Sequence, residues 1–141
     1  MVVVKAASSS FNVAVRLAPD ASSGLASIVQ QYLEQQLAES ADRRRRAFRI
    51  RGRLGLVATD YSHAVTVEFT GDEISVHDGM HEPLDARIAG THQALTKLLQ
   101  GEANPLIEHL RGRIKVTSKL RNLWLPLRVH RLMKLARTDA R

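Results

Sequence analysis

A change in the spacing of apolar residues near residue 48 most constrains how this chain can fold. Before it, Leu25, Val29, Leu33 and Leu37 recur at helical spacing. After it, apolar and polar residues alternate over several short segments. A period of three to four residues indicates one face of a helix, whereas alternation indicates a strand with one buried face. The sequence therefore predicts an amphipathic helix over about 20–42, followed by a sheet.

The alternating segments are short and closely connected, as in the Thr70-Gly71-Asp72 turn between the second and the third. Such spacing is typical of a meandering, largely antiparallel sheet with one wet face. The first four predicted strands are 48–56, 65–69, 74–76 and 84–88. The later elements are a helix over 91–99, a helix capped by Asn104-Pro105, a strand over 114–116 and a Leu-rich helix over 120–136 that Pro126 should kink.

These elements predict a single α+β domain in which helices cover one face of a five-stranded, mainly antiparallel sheet. A chain of 141 residues is about the size of one domain. Residues 1–19 are expected to form a separate N-terminal arm or a short extended segment, because Val13, Val15 and Leu17 alternate with polar or small residues. The domain proper is predicted to span 20–141.

Composition narrows the possible functions. The chain has no cysteine, which excludes disulfides, thiolate metal sites and a cysteine nucleophile and fits a reducing cytoplasm. No apolar run approaches the roughly 18–20 residues of a membrane span, and no signal peptide is expected. The net charge of +7 predicts attraction to nucleic acid or to an anionic membrane surface. We expect a cytoplasmic protein, peripheral to the inner face of the membrane if it docks there.

Motifs for catalysis and metal binding are missing from the sequence. It contains no Gly-x-Ser-x-Gly, phosphate loop or dinucleotide fingerprint, so no catalytic residue is assigned and no enzyme is expected. The stretch 77–82 carries His77, Asp78, His81 and Glu82, yet Asp78-Gly79 is a strong turn signal that would point these side chains apart. We therefore expect neither a metal site nor a cofactor.

Three stretches in fixed order resemble the SCP2-like family of sterol-carrier domains. They are Leu-Asp-Ala-Arg-Ile-Ala-Gly at 84–90, Gly-Glu-Ala-Asn-Pro-Leu at 101–106 and Leu-Arg-Gly-Arg-Ile-Lys-Val at 110–116. The family typically has an Asp-led strand and a helix, a Gly-x-x-Asp-Pro restart, a Gly-x-aliphatic-Lys-aliphatic strand and a Leu-rich closing helix. The chain departs from it at Asn104, Ser118, Lys119 and Pro126, and the resemblance spans about 48–136.

The resemblance implies an apolar tunnel between sheet and helices that takes a lipid, sterol, isoprenoid or quinone-like ligand, without catalytic residues or an obligatory cofactor. Bacterial relatives of this type include accessory proteins of ubiquinone biosynthesis and lipid carriers. The strand residues expected to line the tunnel are Leu54, Leu56, Val65, Val67, Ile74, Val76, Ala86, Ile88, Ile114 and Val116. The helical residues expected to close it are Leu95, Leu99, Leu106, Leu110, Leu123, Trp124 and Leu127.

Two basic regions could contact other molecules. The closing helix mixes Leu and Trp124 with cations, a pattern typical of helices that bind anionic membranes, and Arg121, Arg128, Arg131 and Lys134 are its predicted membrane-surface residues. The run Arg43–Arg46, continued by Arg49, Arg51 and Arg53, could form a stripe for phosphate groups of lipid or nucleic acid. The alternatives to a lipid carrier are a nucleic-acid-binding module using this face and a ligand-free partner of lipid-modifying enzymes.

Overall fold

The computed structural model describes residues 13–19, 21, 24–119 and 124–139, with side chains described through Leu132. Its strands are β1 (Ala14–Leu17), β2 (Arg51–Ala58), β3 (His63–Thr70), β4 (Glu73–Asp78), β5 (Ala86–Gly90) and β6 (Ile114–Ser118). Its helices are α1 (Gly24–Glu39), α2 (Ala41–Phe48), α3 (His92–Leu99), α4 (Pro105–Leu110) and α5 (Leu125–Asp139). In the described part, no helix is both long and apolar enough to cross a bilayer.

The strands form one mixed sheet in the order β1-β4-β3-β2-β5-β6. Three neighbouring pairs are antiparallel, while β1 with β4 and β2 with β5 are parallel. The α+β class with helices over one face is confirmed. The sheet has six strands instead of five, because residues 14–17 of the predicted arm pair with β4 at its edge. Residues 1–12 lie outside the described part.

The predicted meander is wrong at β5, which lies beside β2 and not beside β4. The segment between β4 and β5 crosses the open face of the sheet, where Met80 and Leu84 come so close to Gly55 that a Cβ atom there would lie 2.8 Å from the Met80 sulfur. The Thr66 hydroxyl, fully buried, donates to the Gly79 carbonyl at 2.7 Å and accepts from the backbone N–H of His81 at 2.9 Å. The alternation of apolar and polar residues shows which side of a strand is buried but not which strands lie beside it. The crossover could therefore not be predicted from the sequence pattern.

The predicted first helix is two helices, separated at Ser40. Ser40 is extended (φ −151°), and its hydroxyl accepts from the backbone N–H of Arg43, which caps α2. A serine that caps a new helix competes with continuation of the old one. The expected kink at Pro126 is also wrong, since Pro126 is the second residue of α5 and the first turn has no backbone hydrogen bond for it to break.

The helices and the inward side chains of the sheet form one core. Neighbouring strands place their apolar residues on the same face, as in the register Leu54↔Val67↔Val76. The predicted inward strand residues are buried there, except for the half-buried Val116. This core contains the candidate site.

Candidate functional site

A small apolar cavity lies between the sheet and the helices. Its volume is about 40 Å³, enough for a few water molecules. Its floor consists of Leu54, Leu56, Val67, Phe69 and Ile88 on β2, β3 and β5. Its roof consists of Val29 and Leu33 of α1, Leu95, Leu98 and Leu99 of α3, Pro105 of α4, and Pro126, Val129 and His130 of α5.

The wall is almost uniformly apolar, since thirteen of its fourteen described residues are hydrocarbon side chains and His130 is the exception. Binding in a cavity of this kind is driven mainly by the apolar surface of cavity and ligand that is removed from water. Each Å² of that surface contributes about 25 cal/mol to the binding free energy. Among these fourteen residues, His130 alone has a side chain that can transfer a proton. The site is suited to holding a hydrocarbon skeleton.

The cavity is small in this form of the protein. Sites for drug-sized ligands usually enclose about 300–1,000 Å³, well above the 40 Å³ found here. A sterol or acyl chain could therefore enter only if part of the roof moves outward. Helices α3 and α5, which form part of the roof, pack against β2 and β5 through apolar side chains of the core.

Six of the predicted tunnel residues lie in the cavity wall: Leu54, Leu56, Val67, Ile88, Leu95 and Leu99. Others belong to the surrounding core without reaching the cavity: Val65, Ile74, Val76, Ala86, Ile114 and the half-buried Val116. Leu123 and Arg121 lie outside the described residues, as does the side chain of Lys134.

Two predicted tunnel residues of α4 face the solvent instead. Leu106 is 52% exposed and Leu110 is 76% exposed. Pro105 lines the cavity, and at about 100° per residue Leu106 and Leu110 point roughly 100–140° away from it. The apolar residues of this helix lie on two sides, so assigning them all to one buried face was wrong.

The start of α5 differs from prediction in the same way. Trp124 is 63% exposed and Leu127 is half-buried, and neither reaches the cavity. Together with the exposed Arg128 and Arg131 they border an open groove of about 370 Å³ on the outer surface. Sequence reasoning missed Pro126, Val129 and His130 on the inner side of α5, although their spacing of three and four residues is that of one helical face.

The arginine run does not form a continuous stripe. Arg43 is buried and bonded to Gln36 and Glu39. Arg44 donates to the Leu37 carbonyl at 2.7 Å, whereas the guanidinium groups of Arg45 and Arg46 lie near the carboxylate of Asp42. These side chains have different partners, so the run does not present the continuous phosphate-binding stripe that the sequence suggested.

The two arginines that follow on β2 are also engaged locally. Arg51 donates to the Phe48 carbonyl at 2.7 Å, and Arg53 pairs with Glu68 at 3.2 Å on the open face of the sheet. There His77 lies 3.6 Å from Glu68 and stacks obliquely on His81. Within the part of the chain that the structure describes, no three His, Asp or Glu side chains are arranged to hold a metal ion.

Solved structures share this fold. A UbiJ-SCP2 ubiquinone synthesis protein matches with a TM-score of 0.63 at 17% identity, covering 79% of this chain and 94% of the other. A sterol carrier protein 2 matches with a TM-score of 0.55 at 22% identity over the same shares of both chains. Sterol carrier protein domain 2 of Helicoverpa armigera matches with a TM-score of 0.57 at 19% identity, covering 77% and 87%. No curated protein sequence matches.

The family of this chain is assigned from a match of its amino-acid sequence to a family model. The model of the SCP-2 sterol transfer family matches residues 29–118, from the middle of α1 to the end of β6. The match includes five of the six strands and most of the cavity wall. This chain belongs to the SCP-2 sterol transfer family, whose members bind and transfer sterols and other lipids.

Proposed function

We propose that the protein carries a lipid, sterol, isoprenoid or quinone-like molecule in the cavity between its sheet and its helices. The observation that carries this proposal is the wall of thirteen apolar residues around a space that the fold leaves incompletely filled. Each methylene group of a ligand transferred there gains about 0.8 kcal/mol. Isoprenoid quinones are included because the UbiJ-SCP2 structure is named for ubiquinone synthesis. We propose that the protein does this as a carrier without catalytic activity, in the cytoplasm.

Loading requires the roof to move. The space of 40 Å³ is too small for any of these ligands, so α3 and α5 must shift away from β2 and β5 to admit one. Opening separates the apolar side chains of the roof from those of the floor, and the ligand then packs against both. This replacement keeps the free energy of opening modest. Such a carrier releases its cargo by closing again.

Mass spectrometry of the protein purified from its natural host or from a lipid-rich expression host tests the proposal. We expect native spectra to show a fraction of protein heavier by the mass of one lipid, and solvent extraction to release that lipid. Protein that remains empty, and that fails to take up a fluorescent acyl chain or sterol in titration, would refute the proposal. A protein unfolded and refolded without lipid is the control for adventitious carry-over.

We further propose that the protein docks on anionic membranes through the basic outer surface of α5. Arg128 and Arg131 are exposed beside Trp124, an arrangement that allows contact with lipid phosphates at the depth where indole rings reside. The cavity lies directly beneath, since Pro126 and Val129 of the same helix line it. Docking there would bring the cargo close to the bilayer.

Flotation with vesicles tests docking. Replacing Arg128 and Arg131 with Gln is expected to lower binding to phosphatidylglycerol-containing vesicles by about thirtyfold, since each basic residue near such a surface contributes about 1 kcal/mol. Arg49→Gln with Arg87→Gln is the matched control, because it removes two exposed charges from other surfaces. Equal loss in both double variants would mean that net charge alone drives binding, and no dependence on anionic lipid would count against docking.

A further inference from the structure

The outer face of α4 exposes three aliphatic side chains side by side. Leu106, Ile107 and Leu110 are 52%, 47% and 76% exposed on a helix of six residues. They fall within an arc of about 100° on the side opposite Pro105, which is buried against the cavity. Single exposed leucines are common on protein surfaces, but such a cluster on one helical face is typical of an interaction site.

Cations border this aliphatic cluster. Residues 105–119 include four Lys or Arg and a single acidic residue, Glu108, whose carboxylate is 3.3 Å from the guanidinium of Arg113. Arg111 and Arg113 are exposed just after α4, whereas Lys115 lies on the open face of the sheet. Helix α4 packs against α5, which carries the exposed Arg128 and Arg131. An aliphatic centre with a positive border complements a surface that is apolar inside and anionic at its rim.

An anionic bilayer has this chemistry. Its acyl chains accept aliphatic side chains without requiring a shaped pocket, and its phosphates accept hydrogen bonds from guanidinium groups. A protein partner would have to supply an apolar groove together with a ring of acidic side chains. A second copy of this chain is disfavoured because the two positive borders would repel each other.

We propose that α4 is the membrane-inserting element of the protein, with Leu106, Ile107 and Leu110 entering the acyl region and the surrounding arginines contacting lipid phosphates. This inference rests on the docking proposed above and adds the element that penetrates the bilayer. The first residue of α4, Pro105, lines the cavity, so the helix that enters the membrane also forms part of the cavity roof. Insertion of α4 would therefore act directly on the roof.

Site-specific labelling tests the insertion. The chain has no cysteine, so Leu110→Cys gives a unique site for a polarity-sensitive fluorophore. Adding vesicles of phosphatidylcholine and phosphatidylglycerol is expected to shift its emission to the blue. Asp72→Cys is the matched control. Asp72 is an exposed residue in the turn between β3 and β4, whereas α4 leads into the start of β6, at the opposite end of the sheet. Its emission is expected to stay unchanged.

A polar variant gives a second, independent readout. Replacing Leu106, Ile107 and Leu110 with Ser is expected to lower affinity for the same vesicles tenfold or more. The transfer of a single aliphatic side chain from water to hydrocarbon already corresponds to about a tenfold change in affinity. Since all three side chains are about half exposed or more, the thermal midpoint should stay close to that of the wild type.

The outcomes separate the two proposals. Wild-type protein that does not float with anionic vesicles overturns docking itself. Wild-type protein that floats, together with a Leu110 label that stays in water and a triple Ser variant that floats equally well, overturns insertion by α4 and leaves docking intact. A blue shift that appears without vesicles and grows with protein concentration would assign the α4 face to a second copy of the chain, which also overturns the inference.

Discussion

Replacing Val67 with Phe is expected to lower the amount of lipid that co-purifies with the protein by at least tenfold. Val67 projects from β3 into the floor of the cavity, which has about 40 Å³ of free space. A phenyl ring there would fill the floor beneath α3 and α5 and collide with any acyl chain or ring system. The measurement is quantification of extracted lipid per mole of folded protein, supported by titration with a fluorescent fatty acid or sterol.

Val76→Phe is the matched control. Val76 pairs with Val67 in the register of β3 and β4, faces the same core and is fully buried, but it does not line the cavity. Both substitutions overpack the core and should cost about 1–3 kcal/mol of stability. Only Val67→Phe should lose cargo. If Val67→Phe does not fold, Leu99→Phe at the roof provides a second blocking variant. Equal cargo in the wild type and in a folded blocked protein would refute the assigned site.

Local elements were predictable where a side chain determines the backbone directly. Asn104 accepts hydrogen bonds from the backbone N–H groups of Leu106 and Ile107, and Thr91 accepts one from that of Ala94, so α3 and α4 begin where these caps indicated. Alternation also identified the buried face of the sheet, because a period of two assigns every second residue to the same side. Most of the cavity floor could therefore be named in advance.

The roof was harder to predict, because its residues depend on how short helices are rotated against the sheet. On α4 three of the four apolar residues point outward and only Pro105 points inward, and no pattern within six residues reveals which side is buried. On α5 apolar residues surround the helix, so the exposed Trp124 and the buried Leu125 and Leu132 look equivalent in sequence. Tertiary packing makes that choice.

The order of the strands in the sheet also could not be predicted from the alternation of apolar and polar residues. The position of β5 beside β2 depends on the crossing segment that packs Met80 and Leu84 on Gly55. Glycine at that position leaves room that any side chain would occupy, but a glycine in a strand signals only a close approach and not its partner. The same limit applies to Arg43, which the sequence placed with three other arginines in a possible stripe for phosphate groups.

Replacing Arg43 with Met is expected to lower the free energy of unfolding by about 2–4 kcal/mol. Arg43 is 1% exposed, and its Nη1 donates to the Gln36 carbonyl at 3.0 Å, to Gln36 Oε1 at 2.9 Å and to Glu39 Oε1 at 3.0 Å. Removing the guanidinium leaves the buried Gln36 oxygens without this donor and removes one of the links between α1 and α2. Urea unfolding followed by far-UV circular dichroism measures the loss.

Arg46→Met is the matched control, since Arg46 lies on the same helix but is exposed and pairs with Asp42 at the surface. Its cost should stay within about 0.5 kcal/mol. Arg43→Lys should fall between the two, because an ammonium group retains the charge without the planar fork that the guanidinium offers. Equal costs at positions 43 and 46 would contradict a structural role for the buried guanidinium.

A double variant separates the buried hydrogen bonds from lost packing. Gln36→Leu removes the side-chain acceptor. It should therefore lower the free energy of unfolding less in the Arg43→Met background than in the wild type, and the difference between the two losses measures the coupling of Gln36 and Arg43. The result also bears on the carrier function, because α2 packs against α5, which forms part of the cavity roof. If Arg43 keeps α1 and α2 together while α5 moves, Arg43→Met should bind lipid more weakly even at temperatures where it remains folded.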